Sequence, residues 1–235
     1  MIKIMKNAGI IYKKQMKDTG KNLALLIQFI MFPVMAVIME NAIQVEGMPE
    51  HFFVGMFAVM HIGMAPLNVM AAVIAEEKEK NTLRVLLFGG VKPGEYLIGT
   101  GGYVFSACMV GTIVFAVLGG YRGMEFAVFL LIMAAGIMVS MLLGAVIGIR
   151  SKSQIAATTI MTPVMMVFAF LPMIAMFNDT VAKIADFAYS QQIQLLLNGL
   201  ASQTQPQLKS LAIIAASMLL AAVMFVCAYR KSGLD

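Results

Sequence analysis

Residues Phe126 to Ile149 read FAVFLLIMAAGIMVSMLLGAVIGI, and this stretch decides the fold. It contains no Asp, Glu, Lys or Arg, and as an α-helix rising about 1.5 Å per residue it would be about 36 Å long. The hydrocarbon core of a bilayer is about 30 Å thick and needs about 20 predominantly apolar helical residues to cross it. The stretch therefore predicts a transmembrane helix and an all-α membrane protein.

Five other stretches have the same character, so the chain is predicted to cross the bilayer six times. The predicted spans are Leu23–Ile43, Phe52–Ala75, Tyr96–Leu118, Phe126–Ile149, Ile155–Phe177 and Leu208–Ala228. Apolar residues make up 60% of the chain and charged residues only 12%, against about 25% charged in an average soluble domain. Because no repeat or low-complexity linker interrupts the spans, residues 1–235 are interpreted as a single transmembrane domain.

The basic residues predict which ends of the spans face the cytoplasm. If the N-terminus is inside, all of the 17 lysines and arginines except Arg122, Lys183 and Lys209 lie on the inner side. Such an excess is the signal that orients membrane helices. We therefore expect both termini in the cytoplasm and the protein in a bacterial cell membrane. Since the net charge of +5 is spread over short clusters, nucleic acid is not an expected partner.

The N-terminal segment, residues 1–21, has a helical pattern of its own. Ile4, Ala8, Ile11 and Tyr12 fall near one face of a helix, and lysines occupy the other. This pattern predicts an amphipathic helix lying in the cytoplasmic interface of the membrane. A basic anchor for the first span is the alternative interpretation.

A second segment, residues 178–207, lies between the fifth and sixth spans. It is too polar to cross the bilayer and too apolar for a plain loop, and Asn178 or Asp179 is suited to cap a helix. We expect one or two short extracellular helices that dip into the outer leaflet or cap the bundle. A structured loop without a role is the alternative.

The densest charge lies between the second and third spans, where residues 76–92 read EEKEKNTLRVLLFGGVK. Asn81 or Thr82 is suited to begin a short helix, and Gly89-Gly90 is suited to end it. Between them Leu83, Leu86 and Leu87 share one face at helical spacing. The pattern predicts a charged extension of the second span followed by a short amphipathic helix in the cytoplasm. A solvated loop would explain the charges but not the apolar stripe.

The sequence offers no catalytic or metal-binding arrangement. It has no nucleophile-elbow serine, no glycine-rich phosphate loop and no cluster with metal-ligand spacing. The central parts of the spans also carry no Asp, Glu, Lys or Arg, which disfavours a carrier driven by an ion gradient. Energy for any transport would therefore enter from outside the bilayer. The short cytoplasmic helix is suited to pass on the motion of a soluble partner that grips it.

Two stretches around this helix resemble the coupling region of ABC-2-type transporter permeases: residues 77–86, EKEKNTLRVL, and residues 91–99, VKPGEYLIG. In that family an acidic run ending in glycine, threonine and leucine follows the second span, and a proline-containing turn precedes a third span opening on E-x-L-x-G. Asn81 stands where glycine is usual, Gly90 where proline is frequent and Thr100 where lysine commonly follows. These departures weaken any assignment to a substrate subgroup.

The resemblance implies the permease subunit of an ATP-driven exporter that is not itself an enzyme. Two permeases would pair as a homo- or heterodimer in membrane lipid, and each would bind a cytoplasmic ATPase that carries ATP and Mg. The implied ATPase-coupling residues are Glu76, Glu77, Glu79, Thr82, Leu83, Arg84, Leu86 and Leu87. The implied substrate path, between spans one, two and five, is lined by Phe29, Phe32, Met35, Met56, Met60, Asn68, Thr159, Thr162 and Met166.

An apolar path rich in methionine suits an amphipathic or lipophilic cargo, such as a drug, a lipid-like molecule or an antimicrobial peptide. Two other hypotheses stay open. A non-transporting anchor, assembly factor or immunity protein that sequesters a peptide would work without an ATPase. A secondary carrier or channel would show flux driven by an ion gradient without ATP.

Overall fold

The computed structural model describes residues 2–43, 50–205 and 207–232, and the side chains from residue 5 onward within these ranges. The helices of this described part are α1 (Ile2–Thr19), α2 (Leu23–Ala42), α3 (Phe52–Glu79), α4 (Thr82–Phe88), α5 (Pro93–Leu118), α6 (Gly123–Arg150), α7 (Gln154–Ala175), α8 (Asp179–Ala185), α9 (Tyr189–Ala201) and α10 (Leu208–Arg230). Six of them, α2, α3, α5, α6, α7 and α10, are long and apolar enough to cross a membrane. The predicted fold class and the six spans are confirmed.

Helix α3 is the centre of the bundle. Of its most apolar 18-residue window, 94% is buried inside the protein, whereas the corresponding share in the other five spans is 17–44%. Helices α2, α5, α6 and α7 all pack against it. The other spans therefore present most of their apolar surface outward, as helices surrounded by lipid do.

Two glycines explain how α6 approaches α3 so closely. A Cβ atom placed on Gly144 would lie 2.2 Å from the backbone oxygen of Leu67, and one on Gly148 would lie 2.8 Å from that of Ala71. Small residues four apart on one helix allow two backbones to meet, and the contact gains packing energy that lipid cannot replace. The close contact of α3 and α6 therefore depends on the absence of a side chain at these positions.

The apolar face of helix α1 packs against the rest of the protein. Ala8 and Ile11 are buried, and the Tyr12 hydroxyl lies 2.7 Å from Ser106 Oγ of α5. Lys6, Lys13 and Lys17 are exposed. The amphipathic helix expected from the sequence is present, but α5 covers its apolar face. The Ile4 side chain, which belongs to the same predicted face, lies outside the described part.

The segment between α7 and α10 forms the expected short helices, α8 and α9. The Asn178 side chain caps α8 by accepting hydrogen bonds from the backbone N–H groups of Thr180 and Val181. Helix α9 packs against α3, α6, α7 and α10. At its first residue the buried Tyr189 hydroxyl lies 2.7 Å from Ser140 Oγ, which donates to the Ile62 carbonyl at the middle of the bundle. Helix α9 therefore reaches into the protein.

A polar cluster anchors the turn between α8 and α9 to the start of α10. Asp186 pairs with Lys209, and Gln192 Nε2 donates to Asp186 Oδ1 over 3.0 Å. Ser210 Oγ donates to Gln192 Oε1 over 2.7 Å. The hydrogen bonds from Lys209 and then from Gln192 lower the pKa of Asp186 below its ordinary value. The carboxylate is therefore held in its charged form, in which it accepts both bonds.

The bundle has two distinct ends. The end that we call the basic end holds α1, α4, the connection between α6 and α7, and the last turn of α10, and we call the other the opposite end. Lys78 Nζ of α3 donates to the carbonyls of Ile149 and Ser151 over 2.6 and 3.1 Å, which joins α3 to the end of α6. Most lysines and arginines lie at the basic end, as the sequence predicted.

Candidate functional site

The buried carboxylate of Glu77 is the centre of the basic end. Glu77 is 5% exposed and lies in the charged extension of α3. Its Oε1 accepts hydrogen bonds from Lys14 Nζ and, over 2.8 Å, from Gln15 Nε2, both of α1. A buried charge requires such partners, because an unpaired carboxylate in an apolar interior is costly. Glu77 therefore links α1 to the end of the central helix.

Lys14 carries the opposite charge of this link. Partial burial alone would lower its pKa, but the hydrogen bond and the charge of Glu77 outweigh that effect, and the pKa lies above its ordinary value. Asp18, one turn further along α1, forms a second ion pair with Lys14 at 3.3 Å. The lysine is thus charged throughout the physiological pH range. These partners of Glu77 were missed in the sequence, because residues 14 and 77 are far apart along the chain.

The last turn of α3 also contacts the start of α7. Glu79 Oε2 accepts a hydrogen bond from the backbone N–H of Gln154 over 2.8 Å. Glu76 forms an exposed ion pair with Lys80 at 2.5 Å, four residues along the chain. Of the three glutamates predicted to meet a partner, Glu77 is enclosed by the protein, whereas Glu79 is exposed and Glu76 is partly so.

Helix α4 begins and ends where the sequence predicted. Asn81 precedes it in the left-handed conformation, with φ of 57°, but its side chain makes no capping hydrogen bond. At the other end Gly90 has φ of 86°, which a glycine adopts without strain. The Gly90 N–H donates to Leu87 O and the Val91 N–H to Leu86 O, the pair of bonds that defines a Schellman motif. The two glycines therefore fix the direction in which the chain leaves α4.

The leucine stripe of α4 faces the bundle. Leu83 is 2% exposed, and Leu86 and Leu87 are partly buried against the same core. Leu83 and Leu87 line a narrow apolar crevice together with Ile74, Pro93, Tyr96, Leu97, Ile149, Phe225 and Tyr229. The stripe thus packs α4 against α3, and the crevice that it lines is shared with residues of α5, α6 and α10. The prediction that these leucines anchor a partner stays a prediction, and Leu83 is covered by this chain.

The outward face of α4 is formed by residues that the sequence analysis did not select as apolar anchors. Val85 is 67% exposed and Phe88 is 84% exposed, and the predicted charge partner Arg84 is exposed beside them. Thr82 is partly buried at the start of the helix. An exposed phenylalanine on a helix outside the spans is informative, since covering it would gain about 2 kcal/mol. The apolar surface of α4 that is free within this chain is therefore Val85 and Phe88.

The start of α5 is hydrogen-bonded to α1 and follows α4 in the chain across residues 89–92. Pro93 occupies the first turn of α5, where a missing N–H does no harm, and Glu95 accepts from the Lys92 backbone N–H over 3.2 Å. Asn7 of α1 donates to the same Glu95 oxygen over 2.7 Å. Motion of α4 would therefore be transmitted to α5 and α1 as well as to α3.

The nine predicted path residues divide into two groups. Phe29, Phe32, Met60 and Asn68 are buried and Met56 is partly buried, whereas Met35, Thr159, Thr162 and Met166 are exposed. Helices α2 and α7 both pack on α3, and we call the surface formed by these three helices the three-helix face. Their role as a path stays a prediction.

Several polar side chains of the three-helix face are already engaged in hydrogen bonds within the protein. Asn68 Nδ2 donates to Gln28 Oε1 over 2.9 Å, a polar partner on α2 that the sequence analysis missed. The hydroxyls of Thr159 and Thr162 donate to the carbonyls of Ile155 and Thr158, each over 2.8 Å. Such hydroxyls are satisfied by their own helix. The exposed face of α7 is therefore less polar than its sequence suggests.

The described residues contain no group of three or more His, Cys, Asp or Glu side chains that could hold a metal ion. The basic end is formed by the ion pairs of Glu77 and Glu76 and by the exposed apolar residues of α4. It is suited to binding a protein partner and transmitting force.

Removal of the Glu77 charge tests the link between α1 and α3. The Glu77→Gln variant is expected to lose about 2 kcal/mol of stability, since hydrogen bonds to a charged group contribute about that amount. For a chain of this length the apparent Tm would fall by about 6 °C. The measurement is thermal unfolding of the purified protein. Glu76→Gln is the control, because its exposed pair contributes less than about 1 kcal/mol. Equal Tm values for the two variants would contradict the central role of Glu77.

Six spans, four of which pack directly on the central helix α3, together with a short helix at the basic end, define a multi-pass membrane protein. A family model described as ABC-2 family transporter protein matches residues 2–229, and the chain belongs to that family. The chain is therefore the membrane permease component of an ABC transporter, and its family implies association with an ATPase subunit. No curated protein shows a matching sequence.

Proposed function

We propose that this chain is the permease of an ATP-driven exporter and that a separate cytoplasmic ATPase, carrying ATP and Mg, moves it through α4. The observation that supports this most directly is the division of α4 into two faces. Leu83 attaches the helix to the bundle, and Val85 and Phe88 are left exposed. A helix held on one side and free on the other is suited to dock in the groove of a partner.

The charged residues around α4 support the same proposal. Arg84 lies beside the exposed apolar pair, and Glu79 and Lys80 lie exposed just before the helix. An apolar centre with a charged rim is the usual composition of a protein interface. Because Glu77, Lys78 and Glu95 connect this region to α1, α5 and α6, force applied to α4 would reach most of the bundle.

The orientation and the substrate path complete the proposal. The basic end would face the cytoplasm by the positive-inside rule, with both termini inside a bacterial cell membrane. Two permeases would pair, and an amphipathic or lipophilic substrate would pass between the faces built from α2, α3 and α7. The exposed residues Met35, Thr159, Thr162 and Met166 would then meet the second permease or the substrate.

The test of this function is whether a nucleotide-binding protein accompanies the chain. The permease, purified from its native membrane without added partners, is expected to carry a P-loop ATPase identifiable by mass spectrometry. The double variant Val85→Asp and Phe88→Asp is expected to reduce the bound ATPase at least tenfold, because two charges would replace the apolar centre of the interface. The matched control, Val85→Leu with Phe88→Leu, keeps the surface apolar and should retain the ATPase. Undiminished pairing in the aspartate variant would contradict the assignment of α4.

A further inference from the structure

A cavity lies at the opposite end of the bundle, away from α4 and its apolar crevice. Its volume is about 570 Å³, within the range of about 300–1,000 Å³ that small-molecule sites occupy. The start of α3, the turn between α5 and α6, the end of α7 and the second half of α9 form its walls. It is thus built from parts of the bundle that only the tertiary structure brings together.

The charged groups of this cavity have one sign. Glu50 and Glu125 line it, and among its described lining residues there is no lysine or arginine. His51, which also lines the cavity, directs Nδ1 to Glu40 Oε1 at 3.0 Å. A concave surface that carries one sign of charge concentrates ions of the opposite sign. The lining therefore favours a cation.

The remaining walls are suited to an apolar body. The rings of Phe52 and Tyr121 and the side chains of Met56 and Leu197 line the cavity. Tyr121 is held in place, since its ring stacks on Phe129 with the ring centres 4.8 Å apart. Aromatic faces attract cations as well as apolar groups. The cavity thus combines carboxylates, rings and flexible apolar side chains.

Amide side chains on α9 and just after its end complete the lining. Gln194 is buried and donates to Asn198 Oδ1 over 2.9 Å, and Gln203 Nε2 donates to Glu125 Oε1 over 3.4 Å. The described residues contain no group of three His, Cys, Asp or Glu side chains that could hold a metal ion. Separate carboxylates with apolar surface between them match an organic cation instead.

We propose that the opposite-end cavity binds small organic cations with an apolar body, and that this is the chemical class of the exported substrate. The statement about binding stands on the cavity alone. The statement about export rests on the proposed function. Met56, one of the predicted path residues, also lines the cavity, and it would connect the cavity to the three-helix face of α2, α3 and α7.

The test compares two ions of the same shape and opposite charge. Purified permease without ATPase, in nanodiscs of zwitterionic lipid, is titrated with tetraphenylphosphonium or tetraphenylborate by equilibrium dialysis, with empty nanodiscs as the blank. Saturable binding of the phosphonium cation is expected, with the anion at least tenfold weaker. Glu125→Gln should raise the cation Kd about fivefold, and Glu50→Gln with Glu125→Gln should raise it tenfold or more.

Asp179→Asn is the matched control, because it removes one carboxylate at the same end but outside the cavity. It should leave the cation Kd unchanged. Equal cation Kd values for wild type and the double glutamine variant, confirmed as folded by thermal unfolding, would overturn the proposal, as would equally tight binding of the anion. A permease that binds the cation but carries no ATPase would keep the binding site and remove the export function. A permease that carries the ATPase but does not bind the cation would remove the cation site and keep the export function.

Discussion

The Leu83→Asp variant is expected to release α4 from the bundle and to lose the ATPase. Leu83 is 2% exposed in a mostly apolar crevice, and a carboxylate placed there would be desolvated beside Ile74, Leu97 and Phe225, which offer it no hydrogen bond. The lost burial and the charge together cost about 3 kcal/mol or more. Detachment of α4 is less costly than opening the whole bundle, so we expect local unfolding.

Hydrogen exchange measures this release directly. Amide protons of residues 82–88 in Leu83→Asp should exchange about 100-fold faster than in wild type, which corresponds to about 3 kcal/mol. Val85→Asp is the matched control on the same helix, because its side chain is exposed and the charge stays in water. Exchange in the control should be unchanged although its ATPase binding is weakened. Similar protection of α4 in both variants would show that Leu83 does not attach the helix.

The Gly144→Val variant is expected to be the most destabilising substitution within the spans. The first side-chain atom would fall 2.2 Å from Leu67 O, and a backbone oxygen of the central helix cannot move aside as the end of a side chain can. Helices α3 and α6 must therefore separate along their contact, which also includes Gly148. Overpacking usually costs about 1–3 kcal/mol, and we expect the upper end or more.

The expected result is a fall in apparent Tm of about 10 °C, or loss of the monodisperse protein on size exclusion. The control is Gly9→Val on α1, where a Cβ meets nothing within 4 Å. That variant should unfold near the wild-type temperature. Gly144→Ala should lie between them, since it brings the same first atom with less bulk. A wild-type Tm for Gly144→Val would mean that α3 and α6 do not approach as described.

The sequence alone predicted the six spans, the short helix between Asn81 and Gly89, and a helix capped by Asn178 or Asp179, of which Asn178 is the cap of α8. These features depend on patterns within about 20 residues: length of an apolar run, helical spacing and the conformational preferences of asparagine and glycine. The family could also be predicted, because its motif lies in two neighbouring stretches, residues 77–86 and 91–99. Local patterns of this kind can be recognised without knowing which helices pack together.

Tertiary structure decided what each of these faces touches. A leucine stripe shows that one side of α4 is covered, but only the bundle shows that this chain covers Leu83 and leaves Phe88 exposed. The link from Lys14 to Glu77 and the cavity at the opposite end join residues far apart in sequence. A sequence pattern indicates that a side chain is buried. The pattern does not indicate which residues cover that side chain, because this depends on how helices from different parts of the chain pack together.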